Sequence, residues 1–528
     1  MAYESLRDWI KALDKAGELK RVTAEVSPIL EMAEIADRAS KSGKGSAKAG
    51  GPALLFENVA GYPGARVLMN QFGSTRRMQM ALEVNSLDEI AGRIEALIHP
   101  VAPTGMLDKL KLLPMLAEVG GYFPKTISAK NAPCKEVILR GEDADVLKFP
   151  VLQTWPEDGG RFITLPCVIT KNPTTGKRNV GMYRMQVYDG KTTGMHWQRQ
   201  KVAAEHARDL MRAAAEDASG QVEMMAVTAG GTAAAGEHTM PQHVVTKIRG
   251  ERMEVAVVIG TDPATTFGAI VPAPPEVEEY LIAGFLRQKA VELVKAETVD
   301  LEVPAHAEIV LEGYVELGEL RTEGPFGDHT GFYTMQDQYP VFHITCITHR
   351  KDPVYAATVV GKPPMEDTWM IKAVERVFLP LMKLTIPEII DINLPAEGVA
   401  HNLMIVSIRK SYAGQARKVM HAIWGLGQAM FTKCIVVVDE DCDVQDVAEV
   451  MLRTGNNIDP ERDIQFTMGP VDTLDHASRL PNFGSKMGID ATRKWAAEGF
   501  TRQWPTMMSM PKSVRERMDR VWKGLGIG

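Results

Sequence analysis

Leu6, Trp9, Ile10 and Leu13 recur at i, i+3, i+4 and i+7, and Gly17 follows, so the pattern predicts an amphipathic helix over 4–16 with a C-terminal stop. Up to residue 125, helical patterns mix with short apolar strands such as ALLFENV. The Gly/Ser/Lys-rich stretch SKSGKGSAKAGG (40–51) reads as an exposed, mobile loop. From 126 the character changes to short β-rich runs separated by Gly, Pro and Asp: KEVIL, FITLPCVIT, VGMYRMQVYDG, MEVAVVIG, EIVLEGYV and VFHITCITH. Strands at that spacing predict a barrel or compact antiparallel sheet. TWPEDGG is a loop among them and KVAAEHARDLMRAAAED a helix. Beyond 336 strands and helices alternate (HNLMIVSIRK, GQARKVMHAIWGLG, TKCIVVVDED), which implies a sheet covered by helices. DVQDVAEVMLRTG reads as a helix capped by Asp443 and ending at Gly455. The tail, PKSVRERMDRVWKGLGIG, is a last amphipathic helix suited to packing on a neighbouring subunit. The expected fold is therefore an α/β multidomain chain, with units over 1–125, 126–335, 336–495 and a tail over 496–528.

A length of 528 residues is too great for one core and agrees with several units. A hydrophobic fraction of 45 % with 24 % charged residues is that of an ordinary globular protein. A net charge of −7, with no dense Lys/Arg tract interleaved with aromatics, argues against nucleic-acid binding. The five cysteines contain no Cys-x-x-Cys pair, which fits a reduced cytosolic chain better than a disulfide framework or zinc site. No signal peptide is legible, and no apolar run approaches the ~18 residues of a membrane span. The expectation is a soluble, cytoplasmic protein.

Four stretches carry candidate chemistry. In RTEGPFGDHTGFY (321–333), Glu323 and Asp328 are bridged by Gly-Pro-Phe-Gly. Pro fixes φ and Gly permits unusual backbone, so the turn is stiff. Two carboxylates on it are either solvated or split in pKa into a base and an acid. In RNVGMYRMQVYDGKTTGMHW (178–197), Asn179, Arg184 and His196 offer an amide, a fixed positive charge and an imidazole, suited to a divalent cation and a carboxylate. Read plainly, the stretch is a strand pair around a turn at Asp189-Gly190, in which Asn179 and His196 lie far apart unless the chain bends. In VPAPPEVEEYLIAGFLR (271–287), Glu276, Glu278 and Glu279 either complement a helix dipole or send one member inward as a ligand. In IRKSYAGQARKV (408–419), Lys410 stands at a strand–helix joint that suits a phosphate, though many ordinary joints look alike. WGLGQAM (424–430) lies at a helix end and is not a nucleotide loop.

Taken together, TWPEDGG, RNVGMYRMQV, TDPATTFGAIVPAP, EEYLIAGFLR, LEVPAHAEIVLEGY, EGPFGDHTGFY, PVFHITCITHRKDPVY, GKPPMED, NLMIVSIRKSYAGQARKVMHAIWG, VVVDEDCDV and GSKMGIDATRKW resemble the UbiD-type decarboxylases over almost the whole chain. The resemblance implies a central split β-barrel, like those of flavin reductases, holding prenylated FMN with Mn²⁺ and K⁺ at its phosphate. A separate flavin prenyltransferase would supply the cofactor. By position, Asn179, His196 and Glu279 match metal ligands, and Met182, Tyr183, Arg184, His196, Trp197 and Gln198 match cofactor contacts, with Lys410 a further phosphate contact. Arg184, Glu323 and Asp328 match the catalytic group, Glu323 holding Arg184 and Asp328 donating the proton from a carboxyl of raised pKa. His329 is left without a task.

The implied substrate is an aromatic carboxylic acid, by default 4-hydroxy-3-polyprenylbenzoate, with another arene acid or an aryl-CoA ester such as phthaloyl-CoA as the alternative. A flavin oxidoreductase would have no use for the Arg184/Glu323/Asp328 set, and a non-catalytic subunit would lack it. The resemblance suggests a homo-oligomer, dimer or hexamer. Two stretches depart from the family: 218–252 is longer than expected, and WQRQK (197–201) replaces a more His-rich run.

Overall fold

The computed structural model describes residues 2–43, 49–98, 117–173, 175–197, 202–217, 224–226, 244–246, 252–271, 273 and 277–526. Gln198, Glu276, the centre of the 40–51 loop and most of the 218–252 excursion lie outside the described residues.

The first helix, Leu6–Lys15, starts on Ser5, whose side chain accepts from the Asp8 amide. Its stripe Leu6, Trp9, Ile10 and Leu13 is buried, as the spacing predicts. It packs with a four-stranded sheet ordered Leu19–Val22, Ala53–Phe56, Arg66–Met69, Val354–Ala356. That last strand comes from far down the chain.

The central sheet has nine strands. Its order is Arg161–Ile163, Met185–Val187, Thr192–Gly194, Asp337–His349, Ile309–Glu323, Arg252–Ile259, Cys167–Lys171, Arg178–Met182, with Val137–Arg140 added on Asp337–His349. Arg178–Met182 lies at one end of this order and Met185–Val187 next to the other, yet only Tyr183 and Arg184 separate them in sequence. The three chain steps from Met182 to Met185 span at most roughly 11 Å. The sheet must therefore curl until its ends meet, giving the half-barrel. Alternation along the strands feeds two cores: Val255, Val257 and Ile259 enter one apolar cluster, while Ala256 and Val258 enter another with Tyr280 and Ala283 of the helix Glu279–Arg287.

The C-terminal sheet runs Ile389–Asn393, Leu403–Ile408, Cys434–Asp439, Phe483–Asp490, Ile464–Pro470, parallel in the middle and antiparallel at both edges. The helices Glu366–Thr385 and Gln415–Trp424 contribute to its core. Two expectations shift. The border at 335/336 cuts through the central sheet, because Asp337–His349 pairs with Ile309–Glu323, and the first sheet then takes Val354–Ala356. The helix expected to start on Asp443 is Val447–Asn457, capped by Asp446, whose carboxylate takes the Ala448 and Glu449 amides. Asp443 instead closes a turn with the Gln445 amide.

Candidate active site

The curl of the half-barrel is closed at Tyr183–Arg184, so the guanidinium of Arg184 emerges where the two sheet ends meet. Arg184 Nε donates to Glu323 Oε1 at 3.0 Å, Nη1 to Asp328 Oδ2, and Nη2 to Thr334 Oγ1 at 3.1 Å. The guanidinium also lies over the Phe326 ring, 4.7 Å from its centroid. Glu323 is the last residue of the long strand Ile309–Glu323 and is 1 % exposed. Its Oε1 is shared by Arg184 and by His196 Nδ1 at 2.8 Å. Burial pushes the Glu323 carboxyl up, but the His196 and Arg184 bonds pull it net below its ordinary value.

The acid-bearing stretch is not a solvated turn. Phe326–Gly327 pairs with Tyr333–Thr334 to make a tight hairpin, with Asp328 at 7 % exposure. Gly324 has φ +96°, a conformation that favours glycine. At Gly327 a Cβ would come within 2.1 Å of Trp155 Cδ1, so only glycine lets the turn approach that ring.

A second loop brackets this turn. Asp158 Oδ2 accepts from the Thr154 and Trp155 amides and the Thr154 hydroxyl, while Oδ1 accepts from the Gly327 amide at 2.8 Å. Gln186 spans both: Oε1 accepts from the Gly324 amide at 2.8 Å, and Nε2 donates to the Gly159 carbonyl at 2.6 Å. TWPEDGG thus holds the acidic turn from behind. The sequence marks it as a loop and as part of the family resemblance, but nothing in its composition says what it grips.

Asp328 differs from expectation. The proton-donor role asks for a raised pKa, and burial does push it up. The opposing bonds from His329 and Arg184 are stronger, and the carboxyl is held well below its usual range. His329 Nδ1 lies 2.9 Å from Asp328 Oδ1, and its pKa is raised to about 9: burial lowers it, but Asp328, with Asp367 and Asp472 nearby, raises it further. His401 meets the His329 ring edge-on at 5.3 Å. Thr334, Asp158, Gln186, Asp367, His401 and Asp472 are the neighbours that pattern reading missed. Asp158, Gln186 and Asp367 lie in stretches that carry the resemblance, TWPEDGG, RNVGMYRMQV and GKPPMED, and His401 opens the strand stretch HNLMIVSIRK.

Of the residues expected to hold metal and cofactor, Glu279 and His196 are each bonded to the stretch 180–184. Glu279 opens the helix Glu279–Arg287, and its Oε2 accepts from the Val180 amide at 2.9 Å, placing it on the strand that carries Asn179. Burial pushes the Glu279 carboxyl up to about 7. Glu278 instead pairs with Arg178 at 2.7 Å, so Glu279 is the member that turns inward. The His196 amide bonds to the Arg184 carbonyl at 3.3 Å, which supplies the bend that brings His196 to the 178–184 strand. Asn179 Nδ2, His196 Nε2, Trp197 Nε1 and Glu323 Oε2 are all buried without a hydrogen-bond partner. Unsatisfied buried atoms of this kind are what a bound polar group would satisfy. His196, its Nδ1 fixed by a carboxylate and its Nε2 free, has the arrangement of a metal-binding histidine. Tyr183 is buried and Met182 half-buried beside them. Lys410 stands apart: its ammonium is tied to Glu498 at 2.6 Å, Thr492 Oγ1 at 3.1 Å and the Arg493 carbonyl at 2.8 Å.

The chain belongs to the UbiD family of carboxy-lyases. The family models of 3-octaprenyl-4-hydroxybenzoate carboxy-lyase match its N-terminal domain over residues 10–96, its Rift-related domain over 125–363 and its C-terminal domain over 368–491. An uncharacterised protein of Archaeoglobus fulgidus is 50 % identical over 523 residues, 99 % of this chain and 98 % of that one. Among solved structures, the closed form of vanillic acid decarboxylase from Sedimentibacter hydroxybenzoicus superposes with a TM-score of 0.80 at 25 % identity, covering 99 % of each chain. The UbiD-class enzyme HmfF from Pelotomaculum thermopropionicum, in complex with FMN, gives 0.74 at 27 % identity over 97 % of this chain and 98 % of that one. An evolved dimeric form of HmfF, solved with prFMN, gives 0.71 at 26 % identity, covering 97 % of this chain and 98 % of that one. The protein is a decarboxylase.

Proposed function

We propose that this carboxy-lyase removes CO₂ from an aromatic carboxylic acid without net oxidation, using prenylated FMN. The observation that carries the reading is the buried Arg184–Glu323–Asp328 constellation, placed where the half-barrel closes and flanked by unsatisfied polar atoms. When bound, the modified flavin supplies the electron sink that loss of CO₂ from an sp² carbon requires. Arg184 binds and orients the substrate carboxylate, exchanging a bond to Asp328 or Thr334 for one to the substrate. Glu323 fixes the guanidinium from behind. Asp328 delivers a proton to the ring carbon after CO₂ leaves.

Asn179, His196 and Glu279 fit a divalent cation such as Mn²⁺, offering one amide, one imidazole and one carboxylate. Met182, Tyr183 and Trp197 fit the flavin. K⁺ belongs to the same reading, as a second cation at the cofactor phosphate. Lys410 has three protein partners already, so its phosphate role requires it to leave Glu498. The substrate class is supported by the similar enzyme that acts on vanillic acid. 4-Hydroxy-3-polyprenylbenzoate stays the default, as the family description prints its octaprenyl form. The further proposals are a cytoplasmic homo-oligomer supplied by a flavin prenyltransferase; no helix among the described residues is long and apolar enough to cross a membrane.

Co-expression with a flavin prenyltransferase, followed by mass and absorbance measurement of the bound ligand, tests the cofactor. Active protein should carry prenylated FMN; active protein with ordinary FMN or no flavin sinks the reading.

A further inference from the structure

Exchange of a carboxylate for hydrogen consumes one proton per turnover. With Asp328 as donor, that proton must first reach Asp328. As folded, the carboxylate is fully engaged as an acceptor. Oδ2 takes Arg184 Nη1, and Oδ1 takes both the backbone amide of His329 at 2.7 Å and its ring Nδ1 at 2.9 Å. Of these donors, the guanidinium stays charged throughout the working range and a backbone amide does not ionise there. The imidazole alone exchanges its proton under ordinary conditions. It is also the wetter partner: the His329 side chain keeps 23 % of its surface exposed against 10 % for Asp328.

The groups facing His329 favour its charged form. Asp328 touches it, with Arg184 on the far side of that carboxylate. Asp367 faces it from the first turn of the helix Glu366–Thr385. Asp472 faces it from the C-terminal unit, as does His401, which has Asp475 nearby and is itself held low by burial. Three carboxylates thus surround one imidazole, with a neutral histidine beside it.

We infer that His329 is the relay that recharges Asp328: its Nδ1–H bond breaks as Asp328 Oδ1–H forms, leaving the neutral Nε2–H ring, Asp328 passes that proton to the carbanion carbon, and a solvent proton then returns to the vacated Nδ1. His329 acts through Asp328, and so is a positioning and relay residue rather than one that touches substrate. The inference rests on the reading of Asp328 as donor.

Two experiments on the full-length holoenzyme test it. The first follows ¹⁵N-labelled histidine rings by NMR across pH. The His329 ring should titrate near 9 in the wild type and fall by about one unit or more in Asp328→Asn. A ring that titrates at the ordinary histidine value, unmoved by Asp328→Asn, overturns the inference. The second measures CO₂ release from 4-hydroxybenzoate, vanillate or 3,4-dihydroxybenzoate, whichever the wild type accepts. His329→Asn should lower kcat by about 10- to 100-fold with KM nearly unchanged and remove the alkaline limb of the pH profile. Free imidazole should restore turnover to His329→Gly. Loss of activity without rescue, and with the alkaline limb intact, makes His329 a structural residue only and overturns the relay. Full activity of His329→Asn beside an inactive Asp328→Asn overturns the relay alone, whereas full activity of Asp328→Asn removes the donor reading beneath it.

Discussion

Arg184 has every guanidinium nitrogen committed to protein before any substrate arrives, to Glu323, Asp328 and Thr334. That arrangement keeps a buried charge paired, since an unpaired one costs several kcal/mol. It also means the substrate carboxylate must displace a bond, so small shifts of the acidic turn alter binding and turnover together. Gly327 is the sharpest probe of this. A methyl there collides with the Trp155 ring and displaces the turn that carries Asp328. Gly327→Ala should lower kcat/KM by roughly 10²-fold, the scale of an ångström-sized misplacement, while circular dichroism shows a folded protein. Wild-type kinetics in that variant would mean that the Trp155 contact does not set the position of Asp328.

At the scale of elements, the site is where separate pieces of chain are forced together. The two-residue link at Tyr183–Arg184 curls the sheet, the loop with Asp158 grips the acidic hairpin, and the helix Glu366–Thr385 ties the hairpin's surroundings to the first sheet. The tie runs through Glu366, whose carboxylate accepts from the Phe72 amide at 2.8 Å and the Thr358 hydroxyl at 2.7 Å. Burial raises its pKa from 4.5 to about 7. The folded protein therefore holds that proton to higher pH than the unfolded chain does, so this contribution to stability is present below pH 4.5 and lost as pH rises through about 7. Glu366→Gln should flatten the fall of the urea midpoint across that window; an unchanged slope would place the titration elsewhere.

These junctions also mark how far the sequence could be read. The apolar stripe Leu6, Trp9, Ile10 and Leu13, the β-rich centre and the α/β end were legible from periodicity, which depends on local burial. The meeting of Arg184 with Glu323 and Asp328 was legible only through resemblance, because strand spacing alone leaves Asn179, Arg184 and His196 on a flat ribbon. The ionised state of Asp328 was not legible at all. It depends on His329 and Arg184 outweighing burial, a balance of distances that no motif records. The border at 335 failed for a related reason: Asp337–His349 reads as a strand in either unit, and only its partner, Ile309–Glu323, assigns it.

On the scale of the whole molecule, the tail stands out. From 505 to 526 every described residue is exposed, and the helix Lys512–Trp522 shows Val514, Met518, Val521 and Trp522 to solvent. An amphipathic helix whose apolar face stays exposed among the described residues supports the proposed homo-oligomer. A chain ending at Pro505 should show a smaller particle mass by light scattering, with the unfolding temperature of the remaining units little changed. An unchanged mass would remove the tail from the assembly.

Turnover at this site depends on Asp328. The direct measurement is CO₂ release by wild type and Asp328→Asn, each loaded by co-expression with a flavin prenyltransferase and supplied with the acid that the wild type decarboxylates. The expected result is a loss of at least about 10²-fold in kcat, the usual contribution of a positioned proton donor, with the cofactor still bound. Equal rates in the two proteins would contradict the site described above.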